Sequence, residues 1–335
     1  MVVRALKSIT IISCLLLLGS SSSYAFDPFP NLGNERVGTA SMQFLKLGAG
    51  ARAAALGNSV SAFTTDGYSL YWNPAGLVWG GPRQLALSHY AWVVGVEYDY
   101  VGYGMKIAED HAIGTSLLYM GTDRMNVTDE YHPFGTGETF GYADFALGLT
   151  YSWRLTTYFS FGGTVRYAQE NIEDLTSHGI LLDLGTYYQM DFRQMRFAVT
   201  LTNFGQQIKP GGSYIYRNLA GEEFEKSYQA FSPPTAFRIA TALDIMNDGA
   251  NSWQASFQLD HPTDNAEYFS VGTEYGFNQL IFMRGGYKLN NDTQSFSLGM
   301  GLKVNVLATE AMLDYAFVSV GDLGNSNMFS FHWSF

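Results

Sequence analysis

The chain has 335 residues, 15% charged and 16% aromatic, with 36 glycines, 22 tyrosines and 24 phenylalanines, yet its mean hydropathy is only −0.04. That balance excludes a disordered chain, which lacks aromatics, and a helical membrane protein, which needs apolar runs of roughly 18 residues or more. With 19 basic against 30 acidic residues the formal charge is −11, which excludes a nucleic-acid partner, since phosphate binding needs a basic surface.

The first element is a leader. Arg4 and Lys7 precede the apolar run "IISCLLLLG", and Ser23 and Ala25 are small residues at the two positions a signal peptidase reads. Residues 1–25 are therefore expected to be a signal peptide, cleaved after Ala25. "IISC" has the look of a lipoprotein acylation site, but cleavage before Cys14 would leave "LLLLG" behind. Without the leader the chain has no cysteine, hence neither disulfides nor thiol chemistry, and 17 basic against 30 acidic residues, a formal charge of −13.

Residues 26–82 follow. They hold "FLKLGAGARAAALG" and "SLYWNPAGL", apolar and rich in small residues. In the second motif Asn73 is placed to cap and Pro74 to occupy the first position of a short helix. Its Trp, Tyr and Leu content forbids it from floating free in water, so it is expected to fold into the interior of whatever follows. "GAGARA" satisfies the G-x-G-x-x-A pattern of a dinucleotide-binding turn, but no alternating βαβ pattern follows. Its glycines are read instead as permitting a tight bend and close approach to a wall.

From residue 83 onward the period is two. In "TQSFSLGMGLKV", Phe296, Leu298, Met300 and Leu302 share one face and Ser295, Ser297, Gly299, Gly301 and Lys303 the other. "SWQASFQLD" sets Trp253, Phe257 and Leu259 against Gln254, Ser256, Gln258 and Asp260. "YADFALGLTYSW" sets Phe145, Leu147, Leu149, Tyr151 and Trp153 against Asp144, Gly148 and Ser152. Fourteen such strands are predicted, near 84–92, 94–107, 111–121, 139–153, 158–170, 178–191, 194–204, 234–245, 251–261, 267–277, 279–289, 293–304, 307–319 and 327–335. A soluble sandwich could use one-faced strands, but segments of about ten residues with aromatics near their ends match a membrane barrel with aromatic girdles. Alternate connections are short, while "DRMNVTDEYHPFGTGE" and the segment 205–233 both fall on the opposite side. The fold class is thus all-β: a transmembrane antiparallel β-barrel of about fourteen strands, 83–335, with an N-terminal hatch or plug, 26–82, in its lumen. Charge on the lipid face should be rejected, as at Leu298 or Leu147, and tolerated on the lumen face, as at Ser297.

Candidate chemistry is sparse. His89, His111, His132, His178, His261 and His332 stand singly, without metal-ligand spacing. The sequon at Asn126 carries little weight in a bacterial-type barrel loop. Asp144, Arg166, Asp183, Arg196, Arg238, Asp260, Glu274, Arg284, Lys288, Lys303 and Asp314 point inward, where they solvate the lumen and bridge to the hatch through Arg52 and Asp66, or hold the head group of an amphipathic ligand. Nothing identifies an enzyme or a cofactor.

Residues 44–57 together with "SLYWNPAGL" resemble the N-terminal region of the PorV/PorQ family, which is related to the FadL long-chain fatty acid transporters. The specific motifs are confined to residues 42–78. The ending "MFSFHWSF" resembles the C-terminal signal by which barrel-assembly machinery recognises outer-membrane proteins, with Phe335 last. The resemblance implies the outer membrane of a Gram-negative-type bacterium, a barrel in contact with its lipid, and a hatch motif at Asn73, Pro74 and Ala75, with Gly76 following. It also implies two possible tasks. One is binding or passing hydrophobic small molecules, held near Phe44, Leu47, Arg52, Tyr71 and Trp72. The other is docking secreted protein cargo for type IX secretion, with the 205–233 loop as the contact. An apolar lumen pocket would favour the first and a filled lumen with an exposed patch the second.

Overall fold

Period-two alternation builds strands with one apolar and one polar face, and here they curl until the last meets the first. The computed structural model describes residues 37–335 other than 292 and 307–308; the expected leader and residues 26–36 lie outside them. The strands are β1 (Arg83–Ala91), β2 (Val96–Ala108), β3 (His111–Thr122), β4 (Met125–Asn126), β5 (Thr139–Phe140), β6 (Tyr142–Arg154), β7 (Phe159–Ile172), β8 (Leu175–Gln189) and β9 (Arg196–Gly205). They continue as β10 (Ser213–Arg217), β11 (Glu223–Ser227), β12 (Ala236–Asn247), β13 (Ser252–Pro262), β14 (Tyr268–Phe277), β15 (Ile281–Leu289), β16 (Phe296–Val306), β17 (Thr309–Ser319) and β18 (Asn325–Ser334).

Fourteen of these form a closed antiparallel barrel, and the pairs β4–β5 and β10–β11 are hairpins outside it. Closure is made by β1 and β18, with Leu87 opposite Phe331 and His89 opposite Phe329, and is extended by reciprocal backbone bonds between Arg83 and Phe335. Closing the sheet removes the edges that lipid could not satisfy. The expected strand 139–153 begins instead at Tyr142, because Thr139 and Phe140 pair with Asn126 and Met125.

The connections 109–110, 155–158, 190–195, 248–251 and 278–280 crowd one end of the barrel. Both long connections, 123–141 and 206–235, lie at the other, and each holds one of the two hairpins. Short turns mark the periplasmic end and long loops the extracellular end.

Facing follows the alternation. Leu147, Leu149, Trp253, Phe257, Leu298 and Met300 are exposed on the outer wall, and Asp144, Ser152, Gln258, Asp260 and Ser297 are buried inside. Leu298→Arg, at a position 55% exposed, should cost about 2–4 kcal/mol near the bilayer midplane, read by denaturant titration in lipid vesicles. A cost within about 0.5 kcal/mol of wild type would mean that this face does not meet lipid.

Candidate functional site in the barrel interior

Residues 42–80 fill the interior. Met42 adopts a left-handed conformation and leads into a 3-10 turn, Gln43–Lys46. A short helix, Ala51–Ala55, follows, then a second, Ser69–Trp72, and a 3-10 helix, Pro74–Trp79. None is long enough to be stable alone, so packing against the wall must hold them. Gly48 and Gly50 have φ of +92° and +90°, and a Cβ there would stand 3.0 Å from Trp72 and 2.9 Å from Tyr68. The bend expected of "GAGARA" is therefore present, but the close approach it permits is to these two rings and not to the wall.

In the SLYWNPAGL stretch each residue type meets a specific need. Asn73 caps the 3-10 helix by accepting the Ala75 N–H at 3.1 Å, with Pro74 at the start. Its amide nitrogen donates to Ser61 O at 2.9 Å and across to Thr186 O on β8 at 3.1 Å. The Ala75 carbonyl accepts the Ser160 hydroxyl at 2.7 Å. Gly76 lies where a Cβ would stand 2.3 Å from Thr64 O. The Tyr71 hydroxyl donates to Leu45 O at 2.8 Å and accepts from Gly48 N at 3.0 Å, and the Trp72 indole donates to Ala49 O at 2.8 Å. Phe44, Tyr71 and Trp72 are buried in one apolar cluster, with the half-buried Leu47 packed against it. Of the sequence-predicted site residues, Phe44, Leu47, Tyr71 and Trp72 thus pack on one another, while Asn73 and Ala75 bond to the wall and Arg52 reaches Glu274.

The wall is notched to receive this segment. A Cβ at Gly162 would lie 2.5 Å from Ala75 N, at Gly185 2.2 Å from Asn73 Oδ1, and at Gly286 2.1 Å from Gly57 N. Hydroxyls and amides of the wall then satisfy the segment's backbone: Ser330 accepts from Ala51 N at 3.0 Å, Gln258 from Ser61 N at 3.1 Å, and the Tyr100 hydroxyl donates to Gly67 O at 2.9 Å. Ser297 accepts from Gly57 N and donates to Ala55 O. Tolerance of arginine at Ser297, expected from its inward face, is therefore corrected: the position is sealed against protein, not bathed by water. These wall residues were missed because glycine and serine on an inward face look like any polar alternation. Only Gly286 and Ser297 among them sit in a stretch, β14–β16, whose many glycines and serines signal close approach.

Most of the inward charges pair. Arg52 grips Glu274 with two bonds of 2.8 and 2.7 Å, and Arg284 bridges Glu274 at 2.5 Å and Asp314 at 2.6 Å. The Arg52 guanidinium also lies 4.5 Å from the Phe63 ring centroid. Arg166 pairs with Asp183 at 2.6 Å and Arg238 with Asp260 at 2.7 Å, and their guanidinium groups face Tyr71 and Trp72 at 5.6 and 5.5 Å. Lys46 meets Asp264 at 2.9 Å near the extracellular loops. Asp66, expected to bridge to the wall like Arg52, instead accepts its neighbour's backbone at Tyr68 N. The desolvated charges of these pairs survive because each is matched and hydrogen-bonded, whereas Asp144 and Lys288, also buried, bond only the neutral Tyr142 hydroxyl and Gln294 amide. Among the described residues, no group of three or more His, Cys, Asp or Glu side chains is placed to hold a metal ion.

The family model described as "Type IX secretion system protein PorV" matches residues 31–263. The chain belongs to the PorV family. No curated protein matches it. Solved structures share its fold at low identity. The CymD monoaromatic hydrocarbon channel aligns with a TM-score of 0.61 at 11% identity, covering 86% of this chain and 98% of that one. The toluene transporter TbuX of Ralstonia pickettii aligns at 0.58 and 13%, covering 86% and 98%. A Pseudomonas aeruginosa FadL homologue aligns at 0.53 and 11%, covering 85% and 97%. This PorV-family protein is accordingly a β-barrel of the Gram-negative outer membrane.

Proposed function

We propose that this PorV-family barrel is a non-enzymatic docking component of type IX secretion whose internal segment, residues 42–80, is a fixed hatch. The observation that supports this reading most is the contrast between its two regions. Inside, the segment is bonded to strands from both halves of the barrel, with its apolar residues spent on one another. Outside, at the extracellular end, apolar side chains stand in solvent: Tyr131 and Phe134 are 87% and 95% exposed, and Ile215 and Leu219 on the β10–β11 hairpin lack cover. Tyr214, Tyr216 and Phe224 lie on one face of that hairpin. Exposed apolar residues grouped this way mark an interaction surface, and secreted protein cargo is the partner the family points to. The β18 strand, Asn325–Ser334, is the segment through which the barrel-assembly machinery would insert the chain.

Replacing 213–227 by a short Gly-Ser turn should abolish secretion of type IX cargo into culture medium while heat-modifiable migration of the folded barrel stays unchanged. Undiminished secretion by a folded variant would remove the hairpin from the reading.

A second reading is favoured by the fold. CymD and TbuX are described as a monoaromatic hydrocarbon channel and a toluene transporter, and the same architecture could pass hydrophobic small molecules past Phe44, Leu47 and Tyr71. It requires the hatch to move, against the ion pairs of Arg52 and the bonds of Asn73. Toluene entry into proteoliposomes that rises with barrel content would favour it over docking.

A further inference from the structure

Asp183, Asp260, Glu274 and Asp314 each face an arginine, but two other inward carboxylates face one another. Asp144 on β6 stands directly opposite Glu170 on β7, and among the described residues neither makes an ion pair. Like charges directly opposite on paired strands are destabilising. Asp144 has no solvent exposure, and its Oδ1 has no hydrogen-bonded partner. A buried acceptor left unmet is costly. The arrangement calls for a positive charge.

Space for one adjoins Glu170. A cavity of about 230 Å³ at the extracellular mouth of the barrel is lined by Ser41, Glu170 and Ser177 on its polar side and by Leu175, Ile208 and Phe231 on its apolar side. Its walls come from three parts of the chain that are tied together: Ser41 N donates to Ser232 O at 3.0 Å, Ile208 and Phe231 form a bridge, and Gly211 N donates to Thr176 O at 2.9 Å. The Ser41 hydroxyl oxygen is buried without a partner, and Ser177, opposite Glu170 on β8, is buried as well. Glu170, Ser41 and Ser177 supply acceptors for the three donors of an ammonium group. The apolar side suits the methylene stem that carries such a group in lysine. A divalent metal, which takes about six or more oxygen ligands, would meet one carboxylate and an apolar wall.

We propose that this cavity receives a lysine side chain of the secreted protein that docks at the extracellular end, its ammonium on Glu170 with Asp144 adding negative charge from the next strand. The inference rests on the docking reading and names the chemistry by which the barrel recognises its partner. Cavity and docking surface are continuous, since Pro210 borders the one and β10 of the other begins at Ser213.

The test uses the scarcity of thiols. The one cysteine in the sequence is Cys14, in the expected leader, so Leu175→Cys places a single thiol in the cavity lining of the folded barrel. Its rate of modification by 2-aminoethyl methanethiosulfonate, which carries an ammonium, is compared with that by the anionic 2-sulfonatoethyl reagent. Adding Glu170→Gln should lower the ratio of the two rates about tenfold, and an unchanged ratio would overturn the proposal. In the full chain Glu170→Gln should also lower secretion of type IX cargo about tenfold, with heat-modifiable migration unchanged. Should that variant fail to assemble, Leu175→Trp, which fills the cavity and leaves both carboxylates in place, should lower secretion likewise. Secretion that either folded variant leaves intact, while replacement of 213–227 abolishes it, would overturn the pocket and leave docking standing. Secretion that survives loss of 213–227 but not loss of the Glu170 charge would remove the hairpin and keep the pocket.

Discussion

Arg284→Met should destabilise the assembled barrel by about 3–5 kcal/mol, because removing one partner leaves the others charged and buried. Arg284 on β15 lies between Glu274 on the adjacent β14 and Asp314 on β17, two strands away on the other side, and its side chain has no solvent exposure. Without it, two carboxylates share the single cation of Arg52. Burial raises the cost of each unmatched charge, and nearby like charges add to it. Arg217→Met is the control: its partner is Glu223 on the exposed β10–β11 hairpin, where both side chains are more than half in solvent. Solvent screening should hold that loss to about 1 kcal/mol or less. Urea titration of both variants in phosphocholine vesicles separates them. If Arg284→Met is as mild as Arg217→Met, the network does not hold the barrel to its contents.

Trp72→Ala should cost about 3–5 kcal/mol as well, by a different route. The indole is 2% exposed and packs edge-on to Tyr71 with ring centroids 4.9 Å apart. Its loss opens a cavity at the centre of the segment and frees the Ala49 carbonyl, which the indole N–H satisfied. None of its contacts described above reaches the lipid face. Insertion into membranes should therefore survive while the segment loosens, so protease access to 44–77 should rise in the variant and stay low in wild type. Equal access in the two would mean that Trp72 does not anchor the segment.

Much of this was legible in the sequence, and for a simple reason. Period two is a local property, so Leu298 outside and Ser297 inside can be read from neighbours alone, and the girdled, ten-residue strands followed from it. Some inward ion pairs were also within reach, since Glu274 faces Arg284 and Arg238 faces Asp260 directly across adjacent strands. The cap at Asn73 and the helix start at Pro74 depend only on adjacent residues, and they too were readable.

What the sequence hid depends on long-range docking. Gly162, Gly185 and Gly286 look like ordinary inward positions until the segment's path is known, and the path is set by contacts hundreds of residues apart, as between Ala55 and Ser297. Asp66 misled because a carboxylate near inward-facing arginines invites a salt bridge, whereas its own chain offered a closer backbone donor. The β10–β11 hairpin escaped because only five residues pair on each side, though Tyr214-Ile215-Tyr216 and Phe224 flanking the Asn218–Gly221 turn were a visible sign.

The central claim is that residues 42–79 form a packed core inside the barrel and leave function to the outer and extracellular surfaces. Hydrogen–deuterium exchange of the full chain in lipid nanodiscs tests it most directly. Amides of Ala51–Gly57 and Ser69–Trp79 should exchange as slowly as those of β14–β17. Exchange at the rate of the 206–235 loop would contradict the claim, because a segment that opens so readily could not be the fixed filling of the barrel.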